Sequence, residues 1–279
     1  MAAAHKLKAS EKQALARKLT VVLKKEYKGG LPRDQRTVLD TLLFAICLEN
    51  SPRVAAEAAL ARMGELFHDL NEVRVSSISE LAEAFQSMDD PEWKALRVRG
   101  ALQHVFERHF SFDFDQLRKR TLEQAAKQLE KIRDLSPFVR NHVLHEVLGA
   151  HVIPLDDAQR RVAVWLGLIA PDATAEHASE ELKPAIRKAD APLFCHLLRC
   201  LATDERFAPT FQAIDDHAPE EGFDPATAAD RLADLLAGKG GKSASRKSSN
   251  SKSTSSKSPR TSASAKKKGQ RPAAARRKK

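Results

Sequence analysis

The chain has 279 residues, with 47 Lys and Arg against 37 Asp and Glu, for a formal charge of +10. No apolar run approaches the ~18 residues needed to cross a bilayer as a helix, and three cysteines (Cys47, Cys195, Cys200) are too few and too irregularly spaced for a disulfide framework. Membrane-spanning and disulfide-stapled classes are therefore excluded, and the cysteines read as small buried hydrophobes in a reducing compartment.

In chain order, Met1–Ala14 is basic and Ala-rich without an apolar core or cleavage signature. It reads as an N-terminal extension and not as a signal peptide, which predicts a cytoplasmic protein. Leu39, Leu42, Leu43 and Ile46 recur at helical spacing up to a break at Asn50-Ser51-Pro52. A second helix carries Val54, Ala58, Leu60 and Ala61, with Ser51 as its cap and Pro52 in its first turn. A short helix spans Ser79 to Phe85, and Pro91 starts another whose stripe is Leu96, Leu102, Val105 and Phe106. Thr121 caps Leu122 to Ile132, and Val139, Val143 and Val147 mark a helix that stops at Gly149. Asp156 or Asp157 caps the helix bearing Val162, Trp165 and Leu166, and further helices are expected over 175–188, 191–202 and 225–237. Strand-like alternation is absent, with Val152 and Ile153 at most an extended linker, so the fold class is all-α.

The organisation that follows is an extension over 1–14, a helical body over 15–237 and a tail over 238–279. The tail holds 15 basic residues and no acidic one, so the preceding 237 residues carry 32 basic and 37 acidic side chains, a net of −5. Lacking large apolar residues, the tail cannot offset its ordering entropy and is expected to be disordered. A cationic arm of this kind suits a polyanion, bound in a salt-sensitive and sequence-blind way. No zinc spacing occurs among the ten histidines, and His142 and His145, three residues apart on one helix, read as ordinary polar residues. No phosphate-cradling Gly-rich loop is present, so neither metal nor cofactor is expected. Trp93 and Trp165 sit on helical stripes and read as core.

Two joints carry more information: Leu129 to Phe138, a short turn between helices, and Gly149-Ala150-His151-Val152-Ile153-Pro154-Leu155-Asp156, a glycine stop leading through an extended run to an acid at a helix start. In these joints the chain resembles the helix-hairpin-helix DNA glycosylases, of which endonuclease III is the familiar member. The family hairpin L-P-G-V-G-R-K-T-A-N-V-V-L falls on Ile132 to Leu144, with Asn141, Val143 and Leu144 matching; Gly149, Leu155-Asp156, Arg161-Val162 and Leu166-Gly167-Leu168 follow without a gap. Upstream, Leu42 to Ser51 resembles the family's L-x-A-x-I-L-S-Q-N-T segment and Lys94-Ala95-Leu96-Arg97 its K-A-x-R helix start. The similarity is collinear over about Leu15 to Leu201.

The resemblance implies a DNA-binding helical body. It also implies phosphate contact at the hairpin, extrusion of a base near the upstream segment and an aspartate that supports sugar chemistry. On that basis DNA contacts are expected at Arg133, Ser136 and Arg140 in the hairpin, at Glu49 and Asn50 upstream, and at Lys266, Lys267, Lys268, Arg276 and Arg277 in the tail, with Asp156 as the candidate catalytic acid. Departures from the family pattern are equally specific. The hairpin glycines fall on Asp134 and Ser136, the Schiff-base lysine on Phe138 and the upstream Gln on Glu49; the iron–sulfur cysteine quartet is missing. Three readings stand: a nucleoid-associated DNA binder related to base-excision-repair glycosylases without AP-lyase activity, a monofunctional glycosylase using Asp156, and a helical scaffold bound to RNA or chromosome through its tail. A basic stripe from Arg133, Arg140, Arg160 and Arg161 would favour the first two.

Overall fold

A computed structural model describes residues 7–32, 35–219 and 221–238. Among these residues there are helices and turns but no strand, so the fold is all-α. The tail expected from Gly238 onward lies, beyond that residue, outside the described part.

Two hydrophobic cores organise the chain. The first is assembled by α2 (Val38–Leu48), α3 (Arg53–Leu66), α4 (Leu70–Val75), α5 (Ile78–Ala82), α6 (Pro91–His109), α7 (Leu122–Leu129) and α8 (Pro137–Leu148). At its centre α2 is apolar around almost its whole circumference, and Leu42, Phe44 and Ile46 are sealed from solvent, as expected of a helix surrounded by others. Thr37 caps it by accepting from the Asp40 N–H at 3.1 Å. Along α6, Ala95, Val98, Leu102 and Val105 form one buried stripe at helical period.

The second core joins α1 (Ala9–Glu26) to α9 (Asp157–Trp165), α10 (Ala175–Leu182), α11 (Ala191–Ala202), α12 (Ala208–Gln212), α13 (Ile214–His217) and α14 (Ala228–Leu236). The chain thus starts in the second core, builds the first, and returns. It crosses back along 149–156, where Ala150 belongs to the first core and Ile153 and Leu155 to the second. Gly149 makes the exit from α8 possible, at φ 58°. Gly167 sits at φ 67°, and a Cβ there would lie 2.6 Å from the Phe223 carbonyl oxygen, so glycine is required where the C-terminal segment closes on α9.

Several expectations shift. Within residues 1–14, helix α1 already begins at Ala9, and Lys12 is buried against Glu181. Pro52, not Ser51, precedes α3; the Ser51 hydroxyl turns back to the Glu49 carbonyl. The buried face of α3 is Ala56, Ala59 and Met63, while Val54 is 76% exposed: the period was right and the phase wrong, because α2 approaches from the other side. Ser77 caps α5, with Glu80 completing the capping box, and Ser79 does not. Helix α7 ends at Leu129, three residues short of the expected Ile132, where the hairpin turn begins, and α10 stops at Leu182. Trp165 packs edge-on against Phe211, as expected of a core residue, but Trp93 is half exposed beneath Arg97.

Candidate nucleic-acid interface

The site expected from sequence is built where α2 ends, α9 begins and α11 passes between the cores. Asn50 leaves α2 in the left-handed region, φ 56°, a conformation that Asn tolerates better than most residues. This turn aims its N–H at Asp156 Oδ2 (2.9 Å), while its side-chain oxygen accepts from the Ala158 N–H (3.1 Å). Asp156 is the N-cap of α9: Oδ1 accepts from the Gln159 N–H at 2.9 Å, and Gln159 reaches back to the Asp156 N–H, a reciprocal capping box.

A residue that sequence reasoning missed completes the arrangement. Arg199 of α11 places Nη1 2.8 Å from Asp156 Oδ2 and donates to the Leu48 carbonyl at 2.7 Å and the Ser51 carbonyl at 3.3 Å. Its Nη2 donates to Gln159 Oε1 at 2.9 Å, and the guanidinium plane lies 4.9 Å from the Phe138 ring centroid. Gln159 in turn donates to the Cys195 carbonyl at 3.0 Å. The Asp156 side chain has no solvent exposure. The candidate catalytic acid is therefore a helix cap and ion-pair partner whose two oxygens are taken by three protein donors. The only sequence cue to Arg199 is a lone charge inside Leu197-Leu198-Arg199-Cys200-Leu201.

On the adjoining face, Lys94 buries its ammonium at the C-terminus of α2. It donates to the carbonyls of Ile46 (3.2 Å), Cys47 (3.3 Å) and Glu49 (2.9 Å), the place where a cation complements the helix dipole. Burial pulls Lys94 below its ordinary pKa. Glu49, at the family's upstream Gln position, is ion-paired with Arg97, so its charge is answered from within the protein. Burial pushes the Cys47 and Cys195 thiols up to about 12, which makes them inert packing groups, as expected.

The hairpin between α7 and α8 keeps the form that a glycine would support. Asp134, at the first glycine position, holds φ 62° with an aspartate side chain, and Ser136, at the second, caps α8 by accepting from the Val139 N–H at 3.2 Å. Phe138, in the lysine slot, is buried in the first core. Arg133 is exposed and Arg140 half-buried, and neither makes an ion pair among the described residues. Arg160 and Arg161 do not extend the stripe: both are ion-paired with Asp215, Arg161 Nε at 2.6 Å, and Arg160 also meets Asp157 at 3.7 Å. Although its own burial works the other way, Asp215 is held below its usual range by hydrogen bonds from Arg161 and Arg160. Glu49, Asn50 and Asp156 are thus brought together, with Arg133, Ser136 and Arg140 joined to them through α8 and Arg199; Lys266, Lys267, Lys268, Arg276 and Arg277 lie outside the described residues.

No protein-family model matches the sequence, and neither does any curated protein. Among solved structures the chain is similar to a trapped endonuclease III–DNA covalent intermediate (TM-score 0.52, 14% identity, covering 68% of this chain and 85% of that one). It is similar also to a non-covalent endonuclease III–DNA complex (0.52, 16%, 68% and 85%). A third is the Clostridium acetobutylicum 8-oxoguanine glycosylase/lyase bound to duplex DNA with cytosine opposite 8-oxoguanine (0.51, 11%, 68% and 68%). At these identities the likeness speaks for architecture, and it agrees with the order of motifs read from the sequence: the chain has an endonuclease III-like helical fold.

Proposed function

We propose that the chain binds duplex DNA through the α7–α8 hairpin and is a relative of base-excision-repair glycosylases without AP-lyase activity. The observation that carries this reading is the hairpin itself. A left-handed Asp134 preserves the tight turn, and Arg133 and Arg140 stand beside it without carboxylate partners among the described residues. Exposed guanidinium groups next to a tight turn suit phosphate oxygens, which position a protein on DNA without reading sequence. The solved structures of similar fold include DNA complexes, which supports the same partner. The basic residues of 239–279 would add salt-sensitive attraction.

Lyase chemistry through an amine needs a nucleophile in the hairpin slot, and Phe138 supplies none. Hydrolysis by Asp156 would need that carboxylate open to a water or a sugar, whereas it is enclosed and shared among Asn50, Gln159 and Arg199. Fluorescence anisotropy with a labelled duplex tests the reading. Arg133→Ala and Arg140→Ala should each weaken binding and lower the salt dependence of the affinity by about one unit of slope. Unchanged affinity and slope in both variants would remove the hairpin from the interface.

A further inference from the structure

The cleft that α2, α8 and α11 enclose between the two cores has a volume of about 490 Å³, within the range of about 300–1,000 Å³ usual for small-molecule sites. It runs down the length of α8, from Phe138 to Val147, away from the hairpin turn. Arg36, Arg53, Arg118 and Arg199 line it together with His142 and His196, while two carboxylates, Asp115 and Glu146, share the wall with His145. Some of these cations have partners: Arg36 and Arg53 meet Glu57, Arg118 meets Asp115, and Arg199 meets Asp156. Two of those four groups remain stacked on one aromatic ring, Arg36 at 3.7 Å and Arg53 at 5.0 Å from the Phe44 centroid.

His142 sits in this cleft between Phe44 and Phe138, at ring-centroid distances of 6.2 and 5.6 Å, and its ring nitrogens make no hydrogen bond to described residues. Burial first, and then the positive field of Arg199, His145, Arg53 and Arg36, pushes it down to about 3; burial with Arg53 and Arg199 also lowers His196. Both imidazoles are therefore neutral at physiological pH, each with one N–H to donate, in a cavity whose cationic groups outnumber its carboxylates.

We infer that this cleft is a binding site for a phosphate monoester on a ligand of nucleotide size. Guanidinium groups match phosphate oxygens in charge and geometry, and a dianionic head relieves the mutual repulsion of cations gathered around one cavity. The neutral imidazoles supply further donors. The same chemistry could arrive on a free nucleotide or on a phosphorylated DNA end. The site uses none of the hairpin residues that carry the proposed duplex contact, so either reading can fail alone.

The test is a titration of the full-length protein with deoxyadenosine monophosphate, following the imidazole nitrogen resonances of His142 and His196, with deoxyadenosine as the control. These probes lie in the cleft, so binding of the nucleotide to basic residues elsewhere does not register. The nucleotide should shift both residues saturably and raise the pH at which His142 titrates, and the unphosphorylated nucleoside should not. Arg53→Gln and Arg118→Gln should each weaken the response about tenfold, the loss of roughly one charge-assisted hydrogen bond; Arg118, half-exposed on the segment before α7, keeps the test available if Arg53→Gln does not fold. A short duplex with a terminal phosphate, compared with the same duplex ending in a hydroxyl, separates the sources: a shift that needs the end phosphate assigns the site to DNA ends, and a shift with the nucleotide alone assigns it to a free ligand. Equal shifts with nucleotide and nucleoside, or none at millimolar nucleotide, would overturn the inference. Loss of hairpin-dependent duplex binding would leave it standing.

Discussion

Arg199 and Asp156, 43 residues apart in sequence, form an ion pair of 2.8 Å whose side chains are 8% and 0% exposed. The pair holds the end of α2, the start of α9 and the middle of α11 in one place. Removing one partner leaves the other charged and buried, which costs about 3–5 kcal/mol. Asp156→Asn keeps an acceptor for the Gln159 N–H but strands Arg199, and should destabilise the fold by about 3 kcal/mol in urea unfolding. Arg199→Met should cost a similar amount. The double variant should cost less than the sum of the two singles, which a double-mutant cycle would report as coupling.

Phe138 occupies the lysine slot without its chemistry. Borohydride in the presence of abasic duplex should trap no covalent adduct with the native protein. Nor should Phe138→Lys create one. Its ammonium would enter a buried position next to the Arg199 guanidinium, and the protein should lose about 3 kcal/mol or more in chemical unfolding. A trapped adduct with the native chain would show that another amine reaches the sugar.

Asp134 holds a left-handed backbone with a side chain that glycine would not need. Asp134→Gly should leave stability within about 1 kcal/mol, since relief of strain and added freedom of the unfolded chain oppose each other. The same change removes a carboxylate from the face assigned to phosphate, so duplex affinity measured by anisotropy should rise severalfold. Weaker binding would mean that the carboxylate itself takes part in the turn's contact.

His142 makes stability depend on pH in a defined direction. Its folded-state pKa, about 3, lies below that of an exposed histidine, about 6.5, so the unfolded chain takes up the proton first as pH falls. The stabilisation is complete above about 6.5 and erodes progressively toward 3. His142→Gln should flatten this part of the profile in urea midpoints measured across the window. An unchanged slope would place the proton uptake elsewhere.

Much of this architecture was legible because each cue was local. Pro91, Thr121 and Gly149 mark helix ends through backbone chemistry, and each holds its expected place. Asp156 was found as the acid at a helix start, since a cap needs only the N–H of Gln159, three residues away. What was not legible is tertiary. Arg199 bonds to Leu48 across 151 positions, and nothing near it in sequence distinguishes it from a surface arginine on a leucine-rich helix. The same holds for Asp215, which takes Arg160 and Arg161 out of the expected basic stripe. The phase of α3 depends on where α2 lies, so the stripe through Val54 had the right period on the wrong face.

The most direct test of the central claim is hydrogen–deuterium exchange of the full-length protein with and without duplex DNA. It resolves the hairpin from the basic tail. Binding through the hairpin predicts slowed exchange over residues 130–140, reduced in Arg133→Ala/Arg140→Ala, with the buried α2 helix unchanged. Exchange over 130–140 that is identical with and without saturating duplex would contradict the assignment of this face to DNA.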